Sequence, residues 1–464
     1  MDGFGMQNLV KILSKSNFLS LFLSFFVIFL LYSVAYAVNK ENFDLLTIYE
    51  EALAHAPELK AAFEQNEANQ IKYYQGLSLL LPSINGSIER SRSKYKYRTK
   101  YSQSNTEYYY NSKLYSVEAT QSIINLNRWR EFSLSKLSTE ISEIGYVEIK
   151  QQFIVDIATI YFDLLFAQEN LSFIMAEQKS IEQRLGQAQN EMEVGIASEV
   201  EVLEAQARYD MVNAQQIEYE NNIQAEKDQL AKILGFYPKG IIKLRAPIQL
   251  LTPGYLNIET WVERAIKNSK KIQLSKLNIN YKNLEVKKAF SNHYPYLDLV
   301  GSYTSSEQEG TPTETEYEEG IAMIKLTVPI FSGGATYSKT SEEKHRLKSM
   351  THSFEDLKRE ITRDVREQYN KITASISKVK ALRQAVASSQ KALSSREFGY
   401  KLGTSTLTEI LDAQSRLFKA QKDLTSARHE YLLSCLRLKN TAGILGKKDL
   451  EDVNRLLEHG DSYL

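Results

Sequence analysis

The feature that most constrains this chain is an internal duplication. The segment VGIASEVEVLEAQARY at 194–209 aligns without a gap with LGTSTLTEILDAQSRL at 402–417, 208 residues further along. Both copies carry the pattern G-x5-E-x-L-[DE]-A-Q-x-R, which begins at Gly195 and at Gly403. A period of this size is far longer than the roughly 20–50 residues of a solenoid module. It predicts two equivalent halves.

Other segments repeat at similar offsets and extend the duplication over the chain. LLTIYEEALAHAPELKAA at 45–62 resembles IETWVERAIKNSKKIQLS at 258–275, and TQSIINLNRW at 120–129 resembles TVPIFSGGAT at 327–336. Each half therefore predicts a short helix, a strand, a loop, a strand, a long helix, a turn and a helix. The first repeat is 38–245, with strand–loop–strand at 82–125 and a turn at 195; the second is 246–464, with strand–loop–strand at 295–330, a turn at 403 and a C-terminal tail.

The distribution of proline predicts unusually long helices. No proline lies between Pro82 and Pro238 or after Pro329, and proline breaks helix interiors. A helix over 128–193 would be about 100 Å long at 1.5 Å per residue. In 407–441 a large residue recurs every seven positions and a small one follows three residues later. The large positions are Ile410, Leu417, Leu424, Tyr431 and Leu438; the small ones are Ala413, Ala420, Ala427, Ser434 and Thr441. Such a heptad seam predicts lengthwise helix packing.

The strand segments alternate between two unlike faces and are rich in tyrosine, as SINGSIERSRS and YLDLVGSYTSS illustrate. Tyrosines at strand ends are typical of the aromatic girdles of an outer-membrane barrel. The tyrosines concerned are Tyr95, Tyr97, Tyr101, Tyr108, Tyr109, Tyr110, Tyr115, Tyr296, Tyr303 and Tyr317. A soluble hairpin with exposed tyrosines is the alternative. Because about eight strands are the minimum for a small barrel, four strands predict closure with other copies.

Opposite charges distinguish the two predicted loops between strands. The first contains Lys94, Lys96, Arg98 and Lys100, and the second contains Glu307, Glu309, Glu314, Glu316, Glu318 and Glu319. In a closed ring of copies these loops would alternate around the rim. They could pair across it, select ions, or simply be solvated surface loops.

The N-terminus predicts export. Lys11 and Lys15 precede a long apolar run that ends in AYA at 35–37, the pattern of a signal peptide over 1–37 that is cleaved after Ala37. No later run of about 20 apolar residues follows, so any membrane insertion would be by strands. An uncleaved apolar segment is the alternative. It would make the chain an envelope-anchored coiled-coil scaffold with no transport role.

Composition argues against several function classes. Lysine plus arginine and aspartate plus glutamate are 57 each, and this balance argues against a nucleic-acid partner. The single Cys435 can form no disulfide within the chain, and the six histidines are scattered. We find no phosphate-binding loop, metal signature or nucleophile constellation. The sequence therefore predicts no enzyme activity, cofactor, metal or catalytic residue.

Together, the signal peptide, the duplicated halves and the motif at both turns resemble the TolC family of outer-membrane export channels. The resemblance covers about residues 42 to 450. It implies a homotrimer whose strands form one twelve-stranded barrel in outer-membrane lipid and whose long helices form a hollow α-barrel across the periplasm. It also implies a channel for drugs, toxins or secreted proteins that works with a periplasmic adaptor (membrane fusion) protein and an inner-membrane transporter.

The same resemblance assigns functional residues. Glu409 and Asp412 lie three residues apart, so they share a helix face, and they match the acidic positions that ring the tunnel entrance. Glu201 matches an acid that pairs with the equivalent of Tyr400 to hold the entrance shut. Ser405 replaces an arginine of the family archetype in this lock. The turns that meet the adaptor correspond to Val194, Gly195, Ile196, Ala197, Leu402, Gly403 and Thr404.

Overall fold

The same order of elements occurs twice along the chain. The computed structural model describes residues 43–98, 105–244, 250, 257–311 and 313–457; the predicted signal peptide, Lys100 and Tyr101 lie outside them. The first half comprises α1 (Leu45–His55), α2 (Pro57–Ser78), β1 (Ser83–Arg98), β2 (Asn105–Ile124), α3 (Leu126–Glu193) and α4 (Glu199–Leu234). The second comprises α5 (Ile258–Asn268), α6 (Lys270–Ser291), β3 (Tyr296–Glu309), β4 (Thr315–Thr327), α7 (Ala335–Lys401) and α8 (Leu407–Thr441), with α9 (Lys447–Asn454) after it.

The helix predicted at the start of each half is two helices in the structure. Between α1 and α2 the backbone of Ala56 has ψ 117°, and Pro57 begins the next helix. Between α5 and α6 Ser269 has ψ 130°. Proline disfavours a helical conformation in the residue before it, so Pro57 explains the first break. No proline lies at the second, where Ser269 makes the same turn.

The long helices predicted from the absence of proline are confirmed. Helix α3 has 68 residues and α7 has 67, so each is about 100 Å long. The Asn125 side chain caps the start of α3 by accepting a hydrogen bond from the backbone N–H of Arg128 at 3.1 Å. Helix α7 starts after Gly334, which has φ 81°. None of the helices in the described ranges combines the length and apolar composition needed to cross a bilayer.

The heptad seam of α8 is buried as predicted. Four of the five small positions and all five large positions are buried, and Thr441 alone is half-buried. Helix α8 packs lengthwise on α7 and also contacts α3. The small column allows this close approach between helix axes. Along most of its length the seam packs against α7, at Leu393 and Val379, so it joins the two long helices of the second half.

The largest apolar core lies where the two halves meet, midway along the long helices. Tyr161 and Phe162 of α3 are fully buried there beside residues of α1, α8 and α9. The Tyr161 hydroxyl donates a hydrogen bond to the Ile242 carbonyl at 2.6 Å. A short parallel bridge pairs Phe43 with Ile241. This core fixes the position of both helical hairpins that project from it.

The four strands form one antiparallel sheet in the order β1-β2-β3-β4. Its register places one set of side chains on a common side, which we call the apolar face. This face carries Ile84, Ile88, Val117, Leu299, Ile324 and Leu326, all of them exposed. The opposite, polar face carries Ser87, Glu89, Ser116, Glu118, Ser302 and Glu319. In the described part of the chain, β1 and β4 each have one edge without a partner strand.

Two expectations about the strand segments need correction. The charges predicted in loops lie mostly on strands, because β1, β3 and β4 extend further than their apolar alternation. Lys94, Lys96 and Arg98 are in β1, Glu307 and Glu309 in β3, and Glu316, Glu318 and Glu319 in β4. The tyrosines divide between the two faces. Register places Tyr109, Tyr115 and Tyr303 on the apolar face and Tyr95, Tyr97, Tyr108, Tyr110, Tyr296 and Tyr317 on the polar face.

A buried histidine links α8 to α3. His429 is 5% exposed, and its ring packs 5.4 Å from that of Phe162. Burial, with a smaller effect from Arg428, lowers the pKa of His429 to about 3. The carboxylate of Glu169 lies 3.6 Å from Nε2, but desolvation dominates the shift. His429 is therefore neutral at neutral pH.

This burial predicts a loss of stability in acid. The folded pKa of His429 lies below its ordinary value of 6.5, so between about pH 6.5 and 3 the unfolded chain binds a proton that the folded chain excludes. The unfolding temperature should fall as pH falls through that window, and less steeply in His429→Leu. Thermal melts at a series of pH values measure this. His345→Gln, at an exposed helical position, is the control; equal slopes in all three proteins would contradict the prediction.

Candidate functional site

The two repeated motifs form equivalent helical turns at one end of the hairpins. Gly195 and Gly403 have φ of 75° and 74°, in the left-handed region that glycine adopts without steric strain. In the first turn the Ile196 N–H donates to the Glu191 carbonyl at 2.8 Å, and in the second the Thr404 N–H donates to the Gly399 carbonyl at 2.8 Å. Duplication has thus preserved the geometry of the turn.

Replacing a turn glycine should destabilise the protein through backbone strain alone. A Cβ added at Gly403 would meet no atom within 4 Å. The cost of Gly403→Ala is therefore the backbone strain of the positive φ alone, about 1–2 kcal/mol. We expect a lower unfolding temperature for Gly403→Ala, measured by thermal melting. Gly186→Ala is the matched control, because Gly186 lies within α3 and also has open space around it. It should match or exceed the wild type; equal losses in both variants would contradict the prediction.

Each motif glutamate begins its helix with a capping box. The Glu201 carboxylate accepts from the Ser198 N–H at 2.9 Å, and the Ser198 hydroxyl accepts from the Glu201 N–H at 3.3 Å. Thr406 and Glu409 repeat this arrangement at 3.1 and 3.3 Å. Sequence reasoning missed this role, although S-x-x-E and T-x-x-E are recognisable signals. The two glutamates therefore stabilise the starts of α4 and α8.

The ends of both turns present apolar side chains to solvent. Val194, Ile196 and Leu402 are 70%, 76% and 64% exposed. Ala197 is half-buried, and Thr404 is exposed while its hydroxyl donates to the Gly399 carbonyl at 3.1 Å. Three large apolar side chains grouped at one end are typical of a surface that another protein covers.

The predicted acidic pair lies on one side of α8, and each carboxylate contacts a cation. Glu409 is 2.9 Å from Arg396 of α7. Asp412 forms a short ion pair with Arg208 of α4. Both carboxylates remain partly exposed. Within one copy of the chain the acids are thus partly neutralised, and the cations that do so were not identified from the sequence.

The expected contact between Tyr400 and Glu201 is absent, and Tyr400 binds a different acid. Its hydroxyl donates to Glu191 of α3 at 2.6 Å, while the Glu201 carboxylate is occupied in its capping box. Burial, followed by the hydrogen bond to Glu191 and the charges of Glu191 and Glu201, raises the pKa of Tyr400 to about 12. Tyr400 is therefore a neutral donor at any physiological pH.

Ser405 fills a tight position beneath the second turn. A Cβ built on Gly399 would lie only 2.6 Å from the Ser405 hydroxyl oxygen. Thr404 also lies close to Gly399. The side chain at position 405 thus packs into the turn against Gly399.

Four polar contacts join the first-half hairpin (α3 and α4) to the second-half hairpin (α7 and α8) near the turns. We call them the inter-hairpin links: Arg184–Glu397, Glu191–Tyr400, Glu204–Thr408 and Arg208–Asp412. Arg184 and Glu397 are 2.6 Å apart. The repeated motif contains Arg208, but only the packing of the two hairpins reveals its partner. The links hold the two turns in one relative position.

Comparison with known proteins places these features in a family context. The family model described as "Outer membrane efflux protein" matches residues 48–236 and 261–444. The outer membrane protein TolC of Escherichia coli (strain K12) is 28% identical over 426 residues, which cover 89% of this chain and 85% of that protein. The alkaline protease secretion protein AprF of Pseudomonas aeruginosa is 25% identical over 415 residues, which cover 88% and 86%.

A solved structure shares the fold at low sequence identity. The Campylobacter jejuni CmeC outer membrane channel superposes with a TM-score of 0.74 at 18% identity. The match covers 89% of this chain and 90% of that chain. The duplicated arrangement of long helices and a four-stranded sheet is therefore that of a known group of channels.

Proposed function

The chain belongs to the outer membrane efflux protein family, and from that premise we propose that three copies form one outer-membrane channel for efflux or secretion. Their twelve strands close a barrel in outer-membrane lipid, and their long helices continue as a hollow α-barrel through the periplasm. Substrates enter at the helical turns from a periplasmic adaptor and an inner-membrane transporter. The channel itself supplies no energy for transport, and its proposed substrate is a drug, a toxin or a secreted protein.

The observation that carries this proposal is a sheet with two open edges above two very long helices. Exposed sheet edges are normally paired, covered or blunted. Strands β1 and β4 are long, and the outer edge of each has no partner strand in the described part of the chain. Closure with further copies removes both edges. The apolar face would then meet lipid, since Ile84, Ile88 and Ile324 are 71%, 80% and 72% exposed.

The exposed turns support the docking of an adaptor. Val194, Gly195, Ile196, Ala197, Leu402, Gly403 and Thr404 form the proposed contact surface. Its apolar side chains are accessible in the isolated chain. In a trimer six such turns would surround one axis, and the adaptor would cover them as a ring.

The entrance is the proposed gate. Glu409 and Asp412 from three copies would place six carboxylates around the axis, and clustered carboxylates attract cations. The inter-hairpin links keep each second-half hairpin against its first-half neighbour. Tyr400 contributes through Glu191, while Glu201 acts through its charge and its capping box. Opening requires these links to break.

Membrane fractionation tests the proposal. We expect the mature protein, with residues 1–37 removed, in the outer membrane and with the mass of a trimer after chemical crosslinking. The scaffold alternative predicts a monomer or dimer in the inner membrane with Met1 retained. That second result would contradict the proposed channel.

A further inference from the structure

The two halves of the sheet carry opposite charges on the apolar face. Beyond Ile88, every second side chain of β1 up to residue 96 is an exposed cation: Arg90, Arg92, Lys94 and Lys96. The register places four glutamates of the second half on the same face: Glu307, Glu309, Glu316 and Glu318. The first half is therefore mainly basic here and the second half acidic.

These charges lie at and beyond the boundary of the part of the sheet that a bilayer would cover. Strand β1 has 16 residues, whereas about 9–11 tilted residues suffice to cross a membrane. The apolar side chains Ile84 and Ile88 occupy its first third. A span of that length counted from Ser83 ends near residues 91–93, so Arg90 and Arg92 lie near the hydrocarbon boundary, where long cationic side chains reach water, and Lys94 and Lys96 project beyond it.

The junction between the two halves inside the chain already pairs these charges. Strands β2 and β3 meet there, and Lys113 of the first half lies 2.7 Å from Glu307 and 3.0 Å from Glu309 of the second. A closed ring of copies contains a second kind of junction between the halves, where β4 of one copy meets β1 of the next. Because β1 and β4 run in opposite directions, that junction is also antiparallel.

The charges available at the two open edges are complementary. In the described part of the chain neither Arg90 nor Arg92 has an ion pair, whereas Lys96 lies 3.0 Å from Glu107, which also binds Lys94. No ion pair engages Glu316 or Glu318 within the same residues. Two arginines on β1 and two glutamates on β4 thus lie on the same face of the sheet, at its two opposite edges.

We propose that the seam between two copies is an ion-paired β4–β1 junction, in which Arg90 and Arg92 of one copy bind Glu318 and Glu316 of the next. The proposal rests on the trimer of the proposed function and names the contacts that select a second copy. Pairing Ile84 with Ile324 sets this register, because it brings Arg90 opposite Glu318 and Arg92 opposite Glu316. A shift of one residue would place apolar side chains on the polar face.

Charge reversal in the full-length protein tests the seam. The variants are Arg90→Glu/Arg92→Glu, Glu316→Lys/Glu318→Lys and the combination of all four. The readout is the temperature at which the detergent-resistant trimer dissociates on a gel. Each reversed edge should lower this temperature by roughly 5 °C or more, since like charges oppose each other at three seams. The combined variant should recover most of the loss.

The control reverses charges on the polar face of the same strands. Glu89→Lys and Glu319→Lys should leave the dissociation temperature nearly unchanged. The seam would be overturned if neither charge-reversed edge changed the dissociation temperature, or if the two losses added up in the combined variant. Either result would leave the channel proposal intact. A wild-type protein that forms no trimer would instead contradict the proposed function.

Co-expression tests the seam even if a variant with one reversed edge does not form trimers on its own. Arg90→Glu/Arg92→Glu and Glu316→Lys/Glu318→Lys chains with different tags should then co-purify as mixed trimers, because two of the three seams in a mixed trimer pair opposite charges and only one opposes like charges. Failure of the two to assemble together, when the combined variant also fails, would overturn the proposal.

Discussion

Removing two inter-hairpin links together, in Tyr400→Phe/Arg208→Gln, is expected to open the channel entrance. The Tyr400–Glu191 hydrogen bond involves a charged acceptor, and the Arg208–Asp412 pair is more than one-third exposed on both sides. About 1.5 kcal/mol for the first and about 0.5 kcal/mol for the second are reasonable values. Their loss would shift the ratio of open to closed entrances about thirty-fold per copy. Single-channel recording should show a larger mean conductance.

The duplication provides a control for this prediction. Arg416 is the second-half counterpart of Arg208, is exposed, and has no ion pair among the described residues. Arg416→Gln should therefore conduct like the wild type. An unchanged conductance in Tyr400→Phe/Arg208→Gln, in a variant that still forms trimers, would mean that the links do not hold the entrance shut.

Neutralising the acidic pair should reverse the ion selectivity of the entrance. In Glu409→Gln/Asp412→Asn the neighbouring Arg396 and Arg208 lose their carboxylate partners, so the proposed ring loses its six carboxylates and the arginines left unpaired make it net positive. Rings of acidic side chains select cations and rings of basic side chains select anions. The reversal potential in a salt gradient should change sign, and the affinity of a blocking trivalent cation should fall at least about tenfold. Glutamine at 409 retains the capping box, so the turn should keep its shape.

Arg396→Gln is the opposing control. It removes a cation beside Glu409 and should make the entrance more cation-selective. If both variants leave the reversal potential and the trivalent block unchanged, Glu409 and Asp412 do not line the conducting path.

The architecture was predictable because its signals are long and periodic. The absence of proline, the heptad seam of α8 and the paired glycines each act over one helix or one turn, so local rules suffice. The break before Pro57 and both capping boxes are equally local, and S-x-x-E at 198–201 could have been recognised.

The contacts of the site were less predictable because they join distant parts of the chain. Tyr400 has two acids within reach, and only the packing of α7 against α3 decides that Glu191 is its acceptor. Arg208 and Asp412 are 204 positions apart. The sequence predicts loops at the charged ends of β1 and β4, because charged residues obscure the apolar alternation that predicts a strand.

The most direct test of the central hypothesis is single-channel recording from the purified mature protein in a planar bilayer. We predict uniform conductance steps, one per trimer, with cation selectivity from Glu409 and Asp412. The absence of conductance steps from trimers that have inserted into the bilayer would contradict the proposed channel.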